Sequence, residues 1–127
     1  MKKLLVAVLG LLSVACANTE NVPDYSAIDS REKALALVEK GELVEMLLFP
    51  TELGGHDWPP NRVFVPVDAL ATQTQITKNL ILYAQDGLID SMDVDAEYKG
   101  DSFVPTEITF STSYAGKATK YNPVIQI

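Results

Sequence analysis

Glu42-Leu43-Val44-Glu45-Met46-Leu47-Leu48-Phe49 is the stretch on which the fold turns. It lies between Gly41 and Pro50 and is nearly all apolar after its first residue. That length and that nearly continuous apolar character fit a strand set centrally in a sheet. Upstream, a helix is expected to begin at Asp29 or Ser30, where Asp29 and Glu32 form a capping-box-like pair. Ala34, Leu37, Val38 and Gly41 fall on one face at helical spacing. Gly41 is placed to end that helix in the left-handed conformation.

Downstream, Thr51 to Asn61 reads as a loop and Arg62 to Val67 as a returning strand, with Pro66 marking an edge or a bulge. A second helix runs from Asp68 or Thr72 to Asp86 and stops at Gly87. Ile76, Leu80, Tyr83 and Ala84 share one face of it, while Ile81 and Leu82 lie off that face. Such a helix is either well buried or leaves an apolar stripe for a partner. The run Leu80-Ile81-Leu82-Tyr83 leaves a strand over residues 77–84 open as well. Beyond it, Leu88–Tyr98, Ser102–Thr112 and Lys120–Ile127 read as strands, with turns at Lys99-Gly100-Asp101 and around Gly116.

A weak internal echo supports this order. A glycine stop follows each helix, and a Phe-Val-Pro triplet opens each return strand, at Phe64-Val65-Pro66 and Phe103-Val104-Pro105. The expected fold is α+β, in the order α-β-β-α-β-β-β. Its antiparallel sheet has about five strands and carries two helices on one face.

The first residues carry an address. Lys2 and Lys3 precede an apolar run from Leu4 to Leu12, and small residues follow. That is the layout of a secretory signal peptide, and the run is too short to span a membrane, which takes about 20 apolar residues. Ser13-Val14-Ala15-Cys16 resembles the lipobox of bacterial lipoproteins, with Ser13 where leucine is usual. The resemblance implies lipidation of Cys16, the only cysteine, and a membrane anchor without a transmembrane helix. Ala17 after the cysteine implies sorting to the outer membrane, facing the periplasm, as in Gram-negative lipoproteins. Ala15-Cys16-Ala17 also satisfies ordinary signal peptidase with cleavage after Ala17, which leaves a soluble periplasmic or secreted protein. The chain then divides into a signal peptide (1–15), a polar tether (16–27) and one domain (28–127).

Composition narrows the partners. The full chain has a net charge of −7, and loss of Lys2 and Lys3 leaves eight basic against 17 acidic residues, near −9. An acidic domain with no basic patch is not a nucleic-acid binder. A cationic protein partner is favoured by charge. A domain with one cysteine has no internal disulfide to support it.

Gly54-Gly55-His56-Asp57-Trp58-Pro59-Pro60 holds the only histidine and the only tryptophan. Two glycines let the backbone bend and two prolines stiffen the exit, so Trp58 is either a contact hot spot or a lid folded over the core. His56 and Asp57 are candidate contact residues; one histidine is too few for a typical zinc site. Asp93, Asp95 and Glu97 alternate along a strand and share a face. Their spacing resembles the start of a calcium loop, but Tyr98 stands where the EF-hand pattern needs glycine and Val104 where it needs glutamate. No Gly-x-Ser-x-Gly elbow and no phosphate loop appears.

The expected function is therefore a non-enzymatic envelope lipoprotein without metal or cofactor. It binds a protein through His56, Asp57 and Trp58, with Asp93, Asp95 and Glu97 as steering charges. The rival readings are an inhibitor or immunity protein against a cationic toxin or wall hydrolase, and a small-ligand carrier or enzyme.

Overall fold

The chain from Asp29 to Gly41 builds its helix from both ends. Ser30 Oγ accepts the Lys33 amide at 3.1 Å and Asp29 takes the Lys33 ammonium at 2.8 Å. Helix α1 (Arg31–Glu39) follows, with Ala34 fully buried. It ends in a Schellman motif: the Gly41 amide donates to Val38 O and the Glu42 amide to Leu37 O, with Gly41 at φ +80°. The computed structural model describes residues 24–127. The expected signal peptide, Cys16 and the expected tether up to residue 23 lie outside the described residues.

Strands β1 (Leu43–Leu47) and β2 (Arg62–Pro66) pair antiparallel, Val44 opposite Val65 and Met46 opposite Val63. Helix α2 (Val67–Gln85) starts straight from Pro66 and ends in a second Schellman motif. There the Gly87 amide donates to Ala84 O and the Leu88 amide to Tyr83 O, with Gly87 at φ +73°. Residues 77–84 are therefore helical. The buried face is Ala69, Gln73, Ile76, Thr77 and Leu80, which is helical spacing throughout. Gln73 is the surprise on that face: its Nε2 donates to Leu47 O at 2.6 Å, satisfying the end of β1 from the helix. Tyr83 packs against the core, whereas Ala84 is exposed and Leu82 is 56% exposed.

Strand β3 (Ser91–Tyr98) pairs with β4 (Pro105–Tyr114), the central strand of a second sheet. The far edge of β4 is shared by two short strands, β5 (Lys117–Ala118) and β6 (Val124–Gln126). Between them the chain bulges out and is held by Thr112, whose hydroxyl meets Thr119 and Tyr121 O, while Asn122 Oδ1 accepts the Thr112 amide. The expected α+β class and antiparallel pairing hold. The strands divide between two sheets of two and four strands, and the last expected strand is split into β5 and β6.

Two apolar clusters explain the division. The larger joins α2 to the inner face of the four-stranded sheet through Ile76, Leu80, Ile108, Phe110 and Ile125, and takes Met46, Val63 and Val65 from the hairpin. The smaller joins Ala34 of α1 to Leu43, Phe64 and Val104. Alternate residues of β1 and β2 therefore enter different clusters: α2 covers one face, and α1 covers the other at Leu43 and Phe64, leaving Glu45 and Arg62 exposed at its open end.

Candidate functional site

The loop from Phe49 to Asn61 is braced by its own sequence. Gly55 passes so close to the chain that a Cβ there would lie 1.8 Å from Phe49 O. Gly54 sits at φ +102°, a conformation that costs a side-chain-bearing residue dearly. Asn61 then ties the two ends together. Its Oδ1 accepts the Phe49 amide at 2.8 Å, and its Nδ2 donates to Phe49 O and His56 O at 3.0 and 2.9 Å. Pro59 and Pro60 open a single 3-10 turn, Pro59–Asn61, immediately after Trp58.

Trp58 is 56% exposed, so it does not close the core. Asp57 accepts from Arg62 Nε at 2.7 Å. That hydrogen bond, and with it the carboxylate's charge, raises the Arg62 pKa above its ordinary value. His56 is exposed, and its carbonyl serves the loop by accepting the Trp58 amide. His56 and Asp57 thus contribute to different interactions rather than converging on one point. Among the described residues, no group of three or more His, Cys, Asp or Glu is placed to hold a metal ion.

Asp93, Asp95 and Glu97 are all exposed on the outer face of β3, alternating with half-buried Met92, Val94 and Ala96. Ser111, Thr109 and Glu107 of β4 stand opposite them. Among the described residues no basic side chain pairs with any of the three. Asp90, the residue just ahead of β3, has a structural task instead: its Oδ2 accepts the amide of Ala115, which sits at φ +53° in the β4–β5 turn.

The loop and the acidic strand are separate surfaces that border one groove, of about 620 Å³. Pro59, next to Trp58, lines one side; Tyr98, next to Glu97, lines another. Phe64 lies in the groove with the Arg31 guanidinium 5.4 Å from its ring centroid. Phe103, 40% exposed, forms part of the far wall. Burial raises the Tyr98 phenol above its ordinary pKa. Sequence reasoning overlooked Arg31, Asn61, Arg62, Phe64, Tyr98 and Phe103. A signal for two of them was present: each Phe-Val-Pro triplet puts its phenylalanine in this groove and buries its valine, Val65 or Val104.

The arrangement offers an exposed aromatic on a braced loop, a mixed-charge groove and an acidic sheet face. Comparison of the chain with protein-family models, with curated proteins and with solved structures finds no match.

Proposed function

We propose that this protein is a non-enzymatic cell-envelope lipoprotein that binds a protein partner through the loop at His56, Asp57 and Trp58. The observation that carries the reading is Trp58, 56% exposed on a loop already locked by Gly55 and Asn61. A large aromatic presented on a backbone already ordered before binding costs little loop entropy on contact, which suits a hot spot. Asp93, Asp95 and Glu97 lack cationic partners among the described residues and would speed encounter with a basic surface. The same charges support a narrower second reading, neutralisation of a cationic toxin or wall hydrolase. The address rests on Lys2 to Cys16, with lipid on Cys16 and the domain facing the periplasm from the outer membrane.

The test starts from the protein extracted gently from its host's membranes. Intact mass is expected to show acyl chains on Cys16, and cross-linking is expected to recover a stoichiometric companion. Against that companion, Trp58→Ala should leave folding intact and weaken binding by about 2 kcal/mol, roughly thirtyfold. A bare chain beginning at Asn18 would remove the lipoprotein, and unchanged affinity in the variant would remove the loop.

A further inference from the structure

Strand β3 forms one edge of the four-stranded sheet, and the bonding on the far side of β4 shows what that edge offers. The Phe110 amide donates to Pro123 O and the Ile127 amide to Thr106 O, both at 2.9 Å. Thr106, Ile108 and Phe110 therefore turn their backbone groups toward β6, and Glu107, Thr109 and Ser111 turn theirs toward β3. Register then fixes the phase of β3. Asp93, Asp95 and Glu97 stand opposite Ser111, Thr109 and Glu107 and bond to β4. Thr106 Oγ1, which donates to Glu97 O at 3.3 Å, agrees with that direction. Met92, Val94 and Ala96 turn their N–H and C=O groups the other way. Among the described residues no hydrogen bond reaches those groups and no strand pairs with that edge.

Donors and acceptors alternating along an open edge form a template for an added strand. The side chains decide which strand can use it. Facing an antiparallel newcomer, Asp93, Asp95 and Glu97 fall in the non-hydrogen-bonded pairs, where opposed side chains lie closest. All three are exposed, and among the described residues no basic side chain pairs with them. A second copy of β3 is a poor occupant, because an antiparallel copy sets acid against acid on the outer face. Lysine or arginine at alternate positions gains at each of the same places. The like charges thus oppose self-pairing and leave the edge open to a strand of the opposite sign. On the inner face Met92, Val94 and Ala96 are half-buried against the larger apolar cluster. Apolar residues between the basic ones would extend that cluster, and a slip of one residue would set them against the acids instead.

We infer that the free edge of β3 binds an extended basic segment of a protein partner as an added antiparallel strand. The segment is hydrogen-bonded to the backbone of Met92, Val94 and Ala96, with its lysine or arginine side chains against Asp93, Asp95 and Glu97. The inference rests on the protein-binding reading and names the mode of capture: the acidic residues set register as well as speeding encounter. Tyr98, where β3 ends, lines the groove that Pro59 also borders beside Trp58, so one partner can cover both the edge and the loop.

The experiment uses the full chain and an end-blocked synthetic peptide alternating lysine with valine, eight residues long to match β3. In the free protein, the Val94 and Ala96 amides should exchange hydrogen about tenfold or more faster than those of Asp93 and Asp95, after correction for intrinsic rates. The peptide at about 1 mM should slow Met92, Val94 and Ala96 by about tenfold or more. N-methylating its valines should abolish binding, and N-methylating its lysines should not, because only the valine amides face β3. A peptide alternating glutamate with valine should leave the edge unprotected, and Asp95→Lys should weaken the lysine peptide by about tenfold or more. Edge amides already as protected as Asp93 and Asp95, no slowing by the lysine peptide, or equal protection by both peptides overturns the inference. Equal tolerance of N-methylation at valine and lysine does the same without relying on any variant's folding. The companion recovered from the membrane separates the two readings. If it binds Trp58→Ala undiminished while it and the lysine peptide both protect the edge, the loop falls and the strand addition stands. If it is lost with Trp58→Ala and neither it nor the peptide slows the edge amides, the loop stands and the strand addition falls.

Discussion

The β1–β2 hairpin and the β3–β6 sheet are both antiparallel, yet they meet water differently. In the hairpin, neighbours along a strand serve different cores: Phe64 is buried with α1, and Val63 and Val65 with α2. In the larger sheet only one face is covered; Ile108 and Phe110 are fully buried while Ser111 between Phe110 and Thr112 is exposed. Two strands that bury residues on both sides, Leu43 and Phe64 toward α1 and Met46, Val63 and Val65 toward α2, act as a partition between helices. Four strands covered on one side act as a wall with a wet exterior, and that exterior is where Asp93, Asp95 and Glu97 stand. An isolated hairpin is marginal in water, so the partition depends on both helices for its stability.

Alanine scanning would break this comparison most forcefully. On β4, Phe110→Ala should cost about 3–5 kcal/mol and the adjacent Ser111→Ala less than about 0.5 kcal/mol, measured by urea unfolding. On β2, Phe64→Ala should cost about 3–5 kcal/mol and its neighbour Val65→Ala about 2 kcal/mol, because both directions are core. Tolerance at either β2 position would mean one hairpin face is open. A smaller effect sharpens the loop end of the partition. Asn61→Ala removes three hydrogen bonds and should cost about 1–3 kcal/mol while exposing the Phe49–His56 segment to proteolysis. A neutral result would assign the loop's rigidity to Pro59 and Pro60 alone. The smallest effect is on the wet face. Glu97 stands directly opposite Glu107, so Glu97→Lys should stabilise by about 0.2–1 kcal/mol at low salt. A loss there would point to an added role for the Glu97 carboxylate.

Much of this partition was legible in the chain. The apolar run from Leu43 to Phe49 announced a buried strand, and Leu43 and Met46 are buried, while Glu45 within it stays exposed. That run could not distinguish the centre of a wide sheet from a hairpin between two helices, since both bury residues on both faces. Gly41 and Gly87 marked both helix ends, because only a left-handed residue closes a Schellman motif cheaply. The question over residues 77–84 was undecidable from period alone; tertiary packing settled it by burying Thr77 and Leu80 on the face shared with Gln73. Gln73 itself was invisible, because a polar residue in a core is paired to a partner 26 positions away. The loop was found through its unusual residues. The groove beside it was missed because it is assembled from α1, β2 and the β3–β4 turn, segments with no local signature in common.

One small attachment near the start of the described chain has a mechanical consequence. The Tyr25 carbonyl accepts from Ser102 Oγ at 2.8 Å, and the Ile28 carbonyl accepts the Phe103 amide at 2.7 Å. Tension applied to the chain ahead of Asp24 would load these two bonds together with Tyr25 and Ile28, which pack against the smaller apolar cluster, before it reached the larger one. They act in sequence, like teeth of a zip, rather than sharing the load side by side. Asp24 to Ile28 would peel away at low force, while the hairpin and the wall behind it kept their shape.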